Sequence, residues 1–272
     1  MELFEQEVRT YVEEHKPFLS ILTPCYGGLC YVNYLICIIN TINVCKAFGI
    51  DVQLEFCKND SLVTRARNNL VAKAMTNPKV THMLFIDADI SWSPVDVLKL
   101  IISHQLLIGG VYPLKHFNFD RLQQPDILKK WKEAKSTQAF CEGTSDVENI
   151  QHNLLKYNFN HGGSKQIINN LLEVRHLATG FMMFRRETID CMQKAFPSTK
   201  YIDDVQFLTE AENANAFALF DCAVREEHYL SEDWLFSDRW LNMGGKIHVN
   251  VTINLTHTGI QDFNGSFLTS LL

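Results

Sequence analysis

Two carboxylates, Asp87 and Asp89, directly follow the run 81–86, which is apolar from Met83 onward. A short, continuously apolar run is typical of a strand buried on both faces of a parallel sheet. Ligands of such sheets bind beyond the carboxyl ends of the strands, where both aspartates would lie. Carboxylates at positions i and i+2 can hold a hard divalent cation that also binds phosphate oxygens. An acidic turn without a ligand is the alternative.

Two further patterns place charged side chains on predicted helices. Arg67 falls inside the apolar sector of a helix expected at 62–75. A guanidinium there needs a carboxylate or phosphate partner, unless it only reaches the edge of the sector. Glu232 and Asp233 follow Ser231 at the expected start of another helix. By themselves, acids at this position are explained by their favourable interaction with the helix dipole.

The elements that would position these residues begin with a strand at 18–23, a helix at 29–48 and a strand at 51–56, which form a βαβ unit. The other predicted elements are helix 62–75, strand 81–86, a helix from Ser93, strand 106–112, strand 174–184, helix 187–195, strand 216–221, helix 231–243 and strand 247–256. In the last strand an alternating apolar row runs from Ile247 to Leu255. His257 continues its inward phase, which ordinarily indicates a hydrogen-bonded histidine of the core.

Two regions fall outside this alternation of strands and helices. Residues 2–15 carry an apolar face and predict an extra N-terminal helix within 1–16. Residues 116–172 are polar and poorly periodic, and predict an insertion that forms a lid or an acceptor-binding region. Two short helices are expected in it, near 126–135 and 146–157. A plain interaction surface is the alternative for this insertion.

Composition narrows the classes of protein. A chain of 272 residues with 46% hydrophobic and 21% charged residues is a globular protein. The net charge of −6 and the lack of a basic stripe argue against nucleic-acid binding. The eight cysteines contain no Cys-x-x-Cys pair, which favours reduced thiols and a cytoplasmic location. We expect no signal peptide, because residues 1–7 are acidic and amphipathic. We expect no membrane span either, because no apolar run approaches about 20 residues.

Six segments together resemble the nucleotide-sugar-dependent glycosyltransferases of the GT-A type. The resemblance is strongest to small viral and bacterial members and extends to certain fungal mannosyltransferases. It spans roughly residues 18–265 and is thin over the insertion. The segments are Ser61-Leu-Val-Thr-Arg-Ala-Arg-Asn68, Leu84-Phe-Ile-Asp-Ala-Asp-Ile90, Gly110-Val-Tyr-Pro-Leu-Lys115, Ala178-Thr-Gly-Phe-Met-Met-Phe-Arg-Arg186, Ser231-Glu-Asp-Trp-Leu-Phe236 and Leu255-Thr-His-Thr-Gly259.

The resemblance implies a fold and a set of roles. The fold would be a single GT-A (Rossmann-like) α/β domain over 1–272, with a mixed, mainly parallel central sheet flanked by helices. Asp89, Asp87 and His257 would bind the metal, and Asp233, with Glu232 beside it, would be the catalytic base of an inverting enzyme. The residues implied to line the nucleotide site are Thr23, Pro24, Tyr26, Asp60, Arg67, Asp87 and Lys115.

These residue types suit transfer from a UDP- or GDP-sugar to a glycan or glycoconjugate acceptor. A cation against the diphosphate stabilises the charge of the leaving group, and oxygen ligands together with one imidazole favour Mn²⁺ over Mg²⁺. A carboxylate on the acceptor side can take the proton of the attacking hydroxyl. Arg67 or Lys115 could add positive charge against the diphosphate.

Four alternatives remain open at the level of sequence. A retaining glycosyltransferase would need no base at Asp233. A sugar nucleotidyltransferase would need basic residues in the loop after the first strand, yet 24–28 contains no Arg or Lys. A metal-dependent phosphohydrolase would need a nucleophilic aspartate where Thr23 stands. A non-catalytic glycan-binding module could keep the fold without turnover.

Overall fold

The computed structural model describes residues 2–123, 129, 133, 146–160, 162–163, 166–259 and 262–271. Its helices are α1 (Glu2–His15), α2 (Val32–Ala47), α3 (Val63–Thr76), α4 (Pro94–Ile101), α5 (Asp146–Leu154), α6 (Arg186–Ala195), α7 (Glu210–Asn213), α8 (Glu232–Asn242) and α9 (Phe267–Leu271). Its strands are β1 (Phe18–Cys25), β2 (Asp51–Lys58), β3 (His82–Ile86), β4 (Ile90–Ser91), β5 (Leu107–Gly109), β6 (Pro113–Phe117), β7 (Leu155–Tyr157), β8 (Phe159–Asn160), β9 (Ile167–Ile168), β10 (Leu171–Val174), β11 (His176–Leu177), β12 (Phe181–Arg185), β13 (Ala223–Arg225), β14 (His228–Leu230), β15 (Ile247–Asn250), β16 (Thr256–His257) and β17 (Phe263–Asn264).

Eight strands form the central sheet, in the order β2-β1-β3-β12-β5-β15-β10-β9. The pairs β1–β2, β1–β3 and β5–β15 are parallel, whereas β12 runs antiparallel to both β3 and β5. At the far edge, β10 runs antiparallel to β15 and β9. These pairings make six of the eight strands run in one direction, with only β10 and β12 reversed. The prediction of an α/β fold with a mixed, mainly parallel, Rossmann-like sheet flanked by helices is confirmed.

Strand β3 shows why the sheet is buried on both faces. Met83 and Phe85 belong to the core that contains residues of α3 and α8, while Leu84 and Ile86 belong to the core that contains residues of α2 and α4. All four side chains are fully buried. Burial of each contributes about 1.5–3 kcal/mol, so both faces fix the register of this strand. The strand therefore holds the turn that follows it in a defined place.

The extra N-terminal helix is present as α1 and packs on the sheet. Its buried residues are Val8 and Tyr11, which join the core on the α2 and α4 side. The Tyr11 hydroxyl lies 3.4 Å from Nε2 of His82. The helix thus covers the face of the sheet opposite α3. Among the described residues, no helix is both long enough and apolar enough to cross a membrane.

The last predicted strand is shorter than 247–256, because β15 ends at Asn250. Regular pairing ends at Asn250, because its side-chain Oδ1 accepts hydrogen bonds from the Thr252 backbone N–H (3.0 Å) and hydroxyl (2.7 Å). This Asx turn replaces the ladder of the sheet. Val251, Ile253 and Leu255 remain buried, so the alternating pattern marks burial here without marking a strand.

The strand predicted at 216–221 is also absent, although this segment is largely buried. Its backbone forms only an isolated bridge, between Lys200 and Phe217, and otherwise bonds mainly to side chains. The Asn68 side chain pairs with both backbone groups of Phe220, at 2.7 and 2.9 Å, and Arg239 Nη1 donates to two carbonyls of the segment. Asn68 is buried on α3 because its amide satisfies the backbone of this segment.

The predicted insertion at 116–172 contains ordered elements in its described part. Helix α5 matches the start of the helix expected near 146–157, but the chain turns into β7 at Leu155. Strand β7 pairs with β6, which lies just beyond β5 in the chain. The helix expected near 126–135 lies outside the described residues, apart from two positions. Whether the insertion is a lid remains a prediction.

Candidate functional site

The turn that carries Asp87 and Asp89 is hydrogen-bonded to three distant segments. The Asp87 N–H donates to the Gly180 carbonyl (3.1 Å), and the Tyr31 N–H donates to the carbonyl between the two aspartates (3.0 Å). The Thr258 N–H donates to the Asp89 carbonyl (2.8 Å). The loop before α2, the turn before β12 and the segment after β16 therefore converge on this one turn.

Asp89 meets two basic side chains. Its Oδ2 lies 2.6 Å from Lys115 Nζ and 3.3 Å from His257 Nε2. Burial acts to raise the pKa of Asp89, but the contacts with His257 and Lys115 outweigh it, and the pKa is lowered. The other ring nitrogen of His257, Nδ1, lies 2.9 Å from the Pro113 carbonyl. A carbonyl only accepts hydrogen bonds, so Nδ1 carries a proton and Nε2 faces the carboxylate.

Asp87 is held by a different cation. Arg67 Nη2 lies 2.9 Å from Asp87 Oδ1, and Arg67 Nε lies 3.2 Å from Glu232 Oε1. The Arg67 side chain is only 4% exposed, so of the two alternatives left open by the sequence the buried, paired guanidinium is the one found. Burial alone would lower its pKa, but the charges of Asp87 and Glu232 raise it. Its Nη1 is buried without a hydrogen-bond partner among the described residues.

The two acids at the start of α8 have different environments. Glu232 accepts hydrogen bonds from Arg67 and from the Thr179 hydroxyl (3.3 Å) through the same oxygen. Asp233 is buried, and its Oδ1 contacts the Ser231 hydroxyl and accepts from the Trp234 N–H at 2.9 Å. Burial raises the pKa of Asp233. Glu232 is therefore tied to a cation, whereas burial gives the Asp233 carboxyl a greater affinity for a proton than an ordinary aspartate has.

A cavity of about 590 Å³ opens beside the turn. Five of the seven residues implied to line a nucleotide site also line this cavity: Pro24, Tyr26, Asp60, Arg67 and Asp87. Arg67 is the only basic residue among its described lining, so the lining lacks the basic loop that a sugar nucleotidyltransferase would need. Its lining combines aromatic residues with three aspartates and one arginine, as in many pockets for polar ligands.

Two of the implied nucleotide residues do not line the cavity. Thr23 is fully buried, and its hydroxyl lies 2.5 Å from the Tyr34 hydroxyl. Lys115 contacts Asp89 instead. Asp60 belongs to the lining, yet its side chain has no exposed surface, because it binds Arg65 at 2.8 and 2.9 Å and the Leu62 N–H at 3.0 Å. Its carboxylate orders the start of α3.

The sequence interpretation missed the residues 29–31, which line the cavity. They were expected inside the helix 29–48, but α2 begins at Val32. The Gly27-Gly28 pair was the sequence signal for a loop before the helix. Both residues adopt positive φ angles, which glycine favours. Tyr112 was also missed. Its ring packs edge-on against His257, with ring centroids 5.2 Å apart, and a Cβ at position 180 would lie 2.7 Å from it.

The implied metal ligands come together only in part. Asp89 and His257 present an oxygen and an imidazole nitrogen to each other, but Asp87 turns towards Arg67. Within the described ranges, no group of three His, Cys, Asp or Glu side chains is close enough to hold a metal ion. Asp89 and His257 fit a divalent cation as two ligands of a shell that a phosphate would complete. In the structure, the ammonium group of Lys115 supplies the positive charge beside the Asp89 carboxylate.

No family model and no curated protein matches the sequence. Solved structures do match, and one of them is A197 from STIV. It is 12% identical to this chain, and the superposition covers 92% of this chain and 94% of A197, with a TM-score of 0.47.

Proposed function

We propose that this protein is a metal-dependent glycosyltransferase that moves a sugar from a nucleotide-diphosphate sugar to a hydroxyl of a glycan or glycoconjugate. The observation that carries the proposal is the double ion pair of Arg67. It joins Asp87, at the cavity, to Glu232, which lies 165 positions from Arg67 in the chain. The aspartates after β3 and the acids of α8 thus belong to one site.

The cavity is the proposed site of a UDP- or GDP-sugar. Its volume of about 590 Å³ lies within the range of roughly 300–1,000 Å³ usual for pockets of small ligands. Tyr26 and Tyr31 offer aromatic surface for the base. Asp87 and Asp89 would then lie towards the diphosphate.

Asp89 and His257 are the proposed protein ligands of Mn²⁺, or of Mg²⁺. When bound, such an ion supplies positive charge that stabilises the departing diphosphate. The nitrogen ligand favours Mn²⁺. Lys115 holds Asp89 ionised and places an ammonium group beside the same carboxylate, and the Pro113 carbonyl orients the His257 ring.

Asp233 is the proposed catalytic base. The acceptor oxygen forms a bond to the anomeric carbon while the bond from that carbon to the diphosphate breaks, and its electron pair leaves with the diphosphate. The acceptor proton passes to Asp233, whose raised pKa suits this role. Attack opposite the leaving group inverts the anomeric centre. Because Arg67 keeps Glu232 in an ion pair, the carboxylate of Asp233 is the one that would accept the proton of the acceptor hydroxyl.

A cytoplasmic location remains part of the proposal. The described cysteines are all free thiols, which suits a reducing compartment.

Thermal-shift measurements with UDP- and GDP-sugars, each with and without Mn²⁺, test the proposed function. A donor at 100 times its Kd should add about 2.7 kcal/mol to the free energy of unfolding, and only when Mn²⁺ is present. Asp89→Ala should abolish this shift and the turnover, whereas Asp51→Ala, at an exposed aspartate of β2, should leave both unchanged. Absence of any donor-dependent shift with metal, or full turnover in Asp89→Ala, would refute the proposal.

A further inference from the structure

Trp234 lies directly after Asp233 and presents its ring at the surface. The residue is 36% exposed, and its backbone N–H donates to Asp233 Oδ1 at 2.9 Å. Single exposed apolar side chains are common on proteins and usually need no explanation. This one differs because a buried side chain supports it.

The support is His176, which stacks on the Trp234 ring. The two ring planes are nearly parallel, at 8°, with their centroids 4.0 Å apart. His176 is only 2% exposed, and its Nε2 lies 3.0 Å from Asp238 Oδ1. Its Nδ1 lies 3.4 Å from the Asn160 amide nitrogen. Two polar partners thus hold the imidazole that backs one face of the indole.

Polar groups border this stacked pair. Asp238 follows Trp234 by four residues on α8, so the two side chains share one face of the helix. The Asp238 side chain is 18% exposed, and its Oδ1 lies 4.0 Å from Nη2 of Arg175, whose side chain is 59% exposed. A rigid aromatic ring is therefore bordered by a carboxylate and a guanidinium, both of which form directional hydrogen bonds with hydroxyl groups.

We propose that Trp234, supported by His176, is the platform on which a pyranose ring of the acceptor packs. One face of a pyranose carries C–H groups and can cover an indole, while its hydroxyls point outward to polar partners such as Asp238 and Arg175. The proposal rests on the proposed function, because it is the neighbouring Asp233 that would take the proton of the acceptor. It adds that the acceptor presents a pyranose ring, and it names the residue that would bind this ring.

The test measures binding separately from turnover. In protein labelled with ¹⁵N at tryptophan, the indole N–H signal of Trp234 is identified by its loss in Trp234→Phe. Methyl α- and β-glycosides of common hexoses are then titrated at millimolar concentration. At least one should shift this signal, and Trp234→Ala should weaken its binding by about tenfold. Trp234→Phe should retain most of the affinity.

The matched control is Phe56→Ala, which removes an aromatic residue of similar exposure (39%) from edge strand β2. It should leave glycoside binding unchanged. If no glycoside shifts the Trp234 signal, or if Trp234→Ala binds as tightly as the natural sequence, the platform is refuted. If the donor screen fails but a glycoside binds at Trp234, the transferase function is refuted and the platform is not. In an active enzyme, Trp234→Ala should raise the KM for the acceptor and leave the KM for the donor unchanged.

Discussion

His257 Nε2 lies 3.3 Å from Asp89 Oδ2, while Nδ1 of the same ring lies 2.9 Å from the Pro113 carbonyl. Because Nδ1 carries a proton, Nε2 of a neutral ring would direct its lone pair at an anionic oxygen. A cation between the two atoms turns this contact from repulsive to attractive, whether it is a proton on Nε2 or a divalent metal ion.

His257→Ala should therefore weaken Mn²⁺ binding by at least about tenfold, because it removes one of the two proposed protein ligands. Calorimetric titration with Mn²⁺ in the presence of the bound donor measures this effect. His228→Ala, at an exposed histidine of β14, is the control and should bind the ion normally. Equal affinity in both variants would exclude His257 from the metal site.

Arg67→Met should destabilise the protein by about 3–5 kcal/mol, because Asp87 and Glu232 would lose their common cation. Denaturant unfolding at neutral pH measures the loss. Lys246→Ala breaks an exposed ion pair with Glu173, which should change stability by no more than about 1 kcal/mol. A small effect of Arg67→Met would mean that the two carboxylates do not depend on the guanidinium.

Asp233→Asn should lower kcat by about 10²–10⁴-fold and leave donor binding intact, because an amide cannot take the proton of the acceptor. Single-turnover rates and donor titration separate the two effects. Unchanged kcat would favour a retaining mechanism without a base at this position.

Ser231→Ala should move the acid limb of the pH–rate profile to higher pH. The hydrogen bond from Ser231 lowers the pKa of Asp233 and thus opposes the effect of burial. Without this bond the pKa rises further, and the carboxylate form needs a higher pH. The measurement is kcat against pH for both proteins, and an acid limb at the same pH would show that Asp233 does not control it.

Acid should destabilise the protein through His82, a buried histidine 2% exposed. Burial, aided by the charges of Arg185 and His15, lowers its pKa from 6.5 to about 3. The folded-state pKa lies below that of the unfolded chain, so stability is full above pH 6.5 and falls as the pH drops towards 3. The expected slope is about 1.4 kcal/mol per pH unit. Denaturant unfolding across this range should show a shallower slope in His82→Gln, and equal slopes would contradict the assignment.

The parts of the site that sequence could predict are those that depend on local patterns. The apolar run before Asp87 predicts a buried strand end, and the helical phase of α3 places Arg67 in the apolar sector, although it leaves open whether the guanidinium is buried. Sequence could not show that Arg67 pairs with Glu232, because only tertiary packing brings α8 beside α3. The pairing of Asp60 with Arg65 is local, yet it could not be predicted either. An aspartate that binds a ligand and an aspartate that orders the start of a helix look the same in a sequence.

The place of β12 in the sheet also determines when the site can form during synthesis. Strand β3 has β12 as its neighbour, and Phe181 pairs with Ile86 although they are 95 residues apart (181 − 86). At typical rates of translation, the edge of β3 waits roughly 5–20 s for this partner. The turn after β3 depends further on Gly180 and Thr258. A nascent chain can therefore assemble β1, β2 and β3 early, but it completes the turn with Asp87 and Asp89 only after Thr258 has been made.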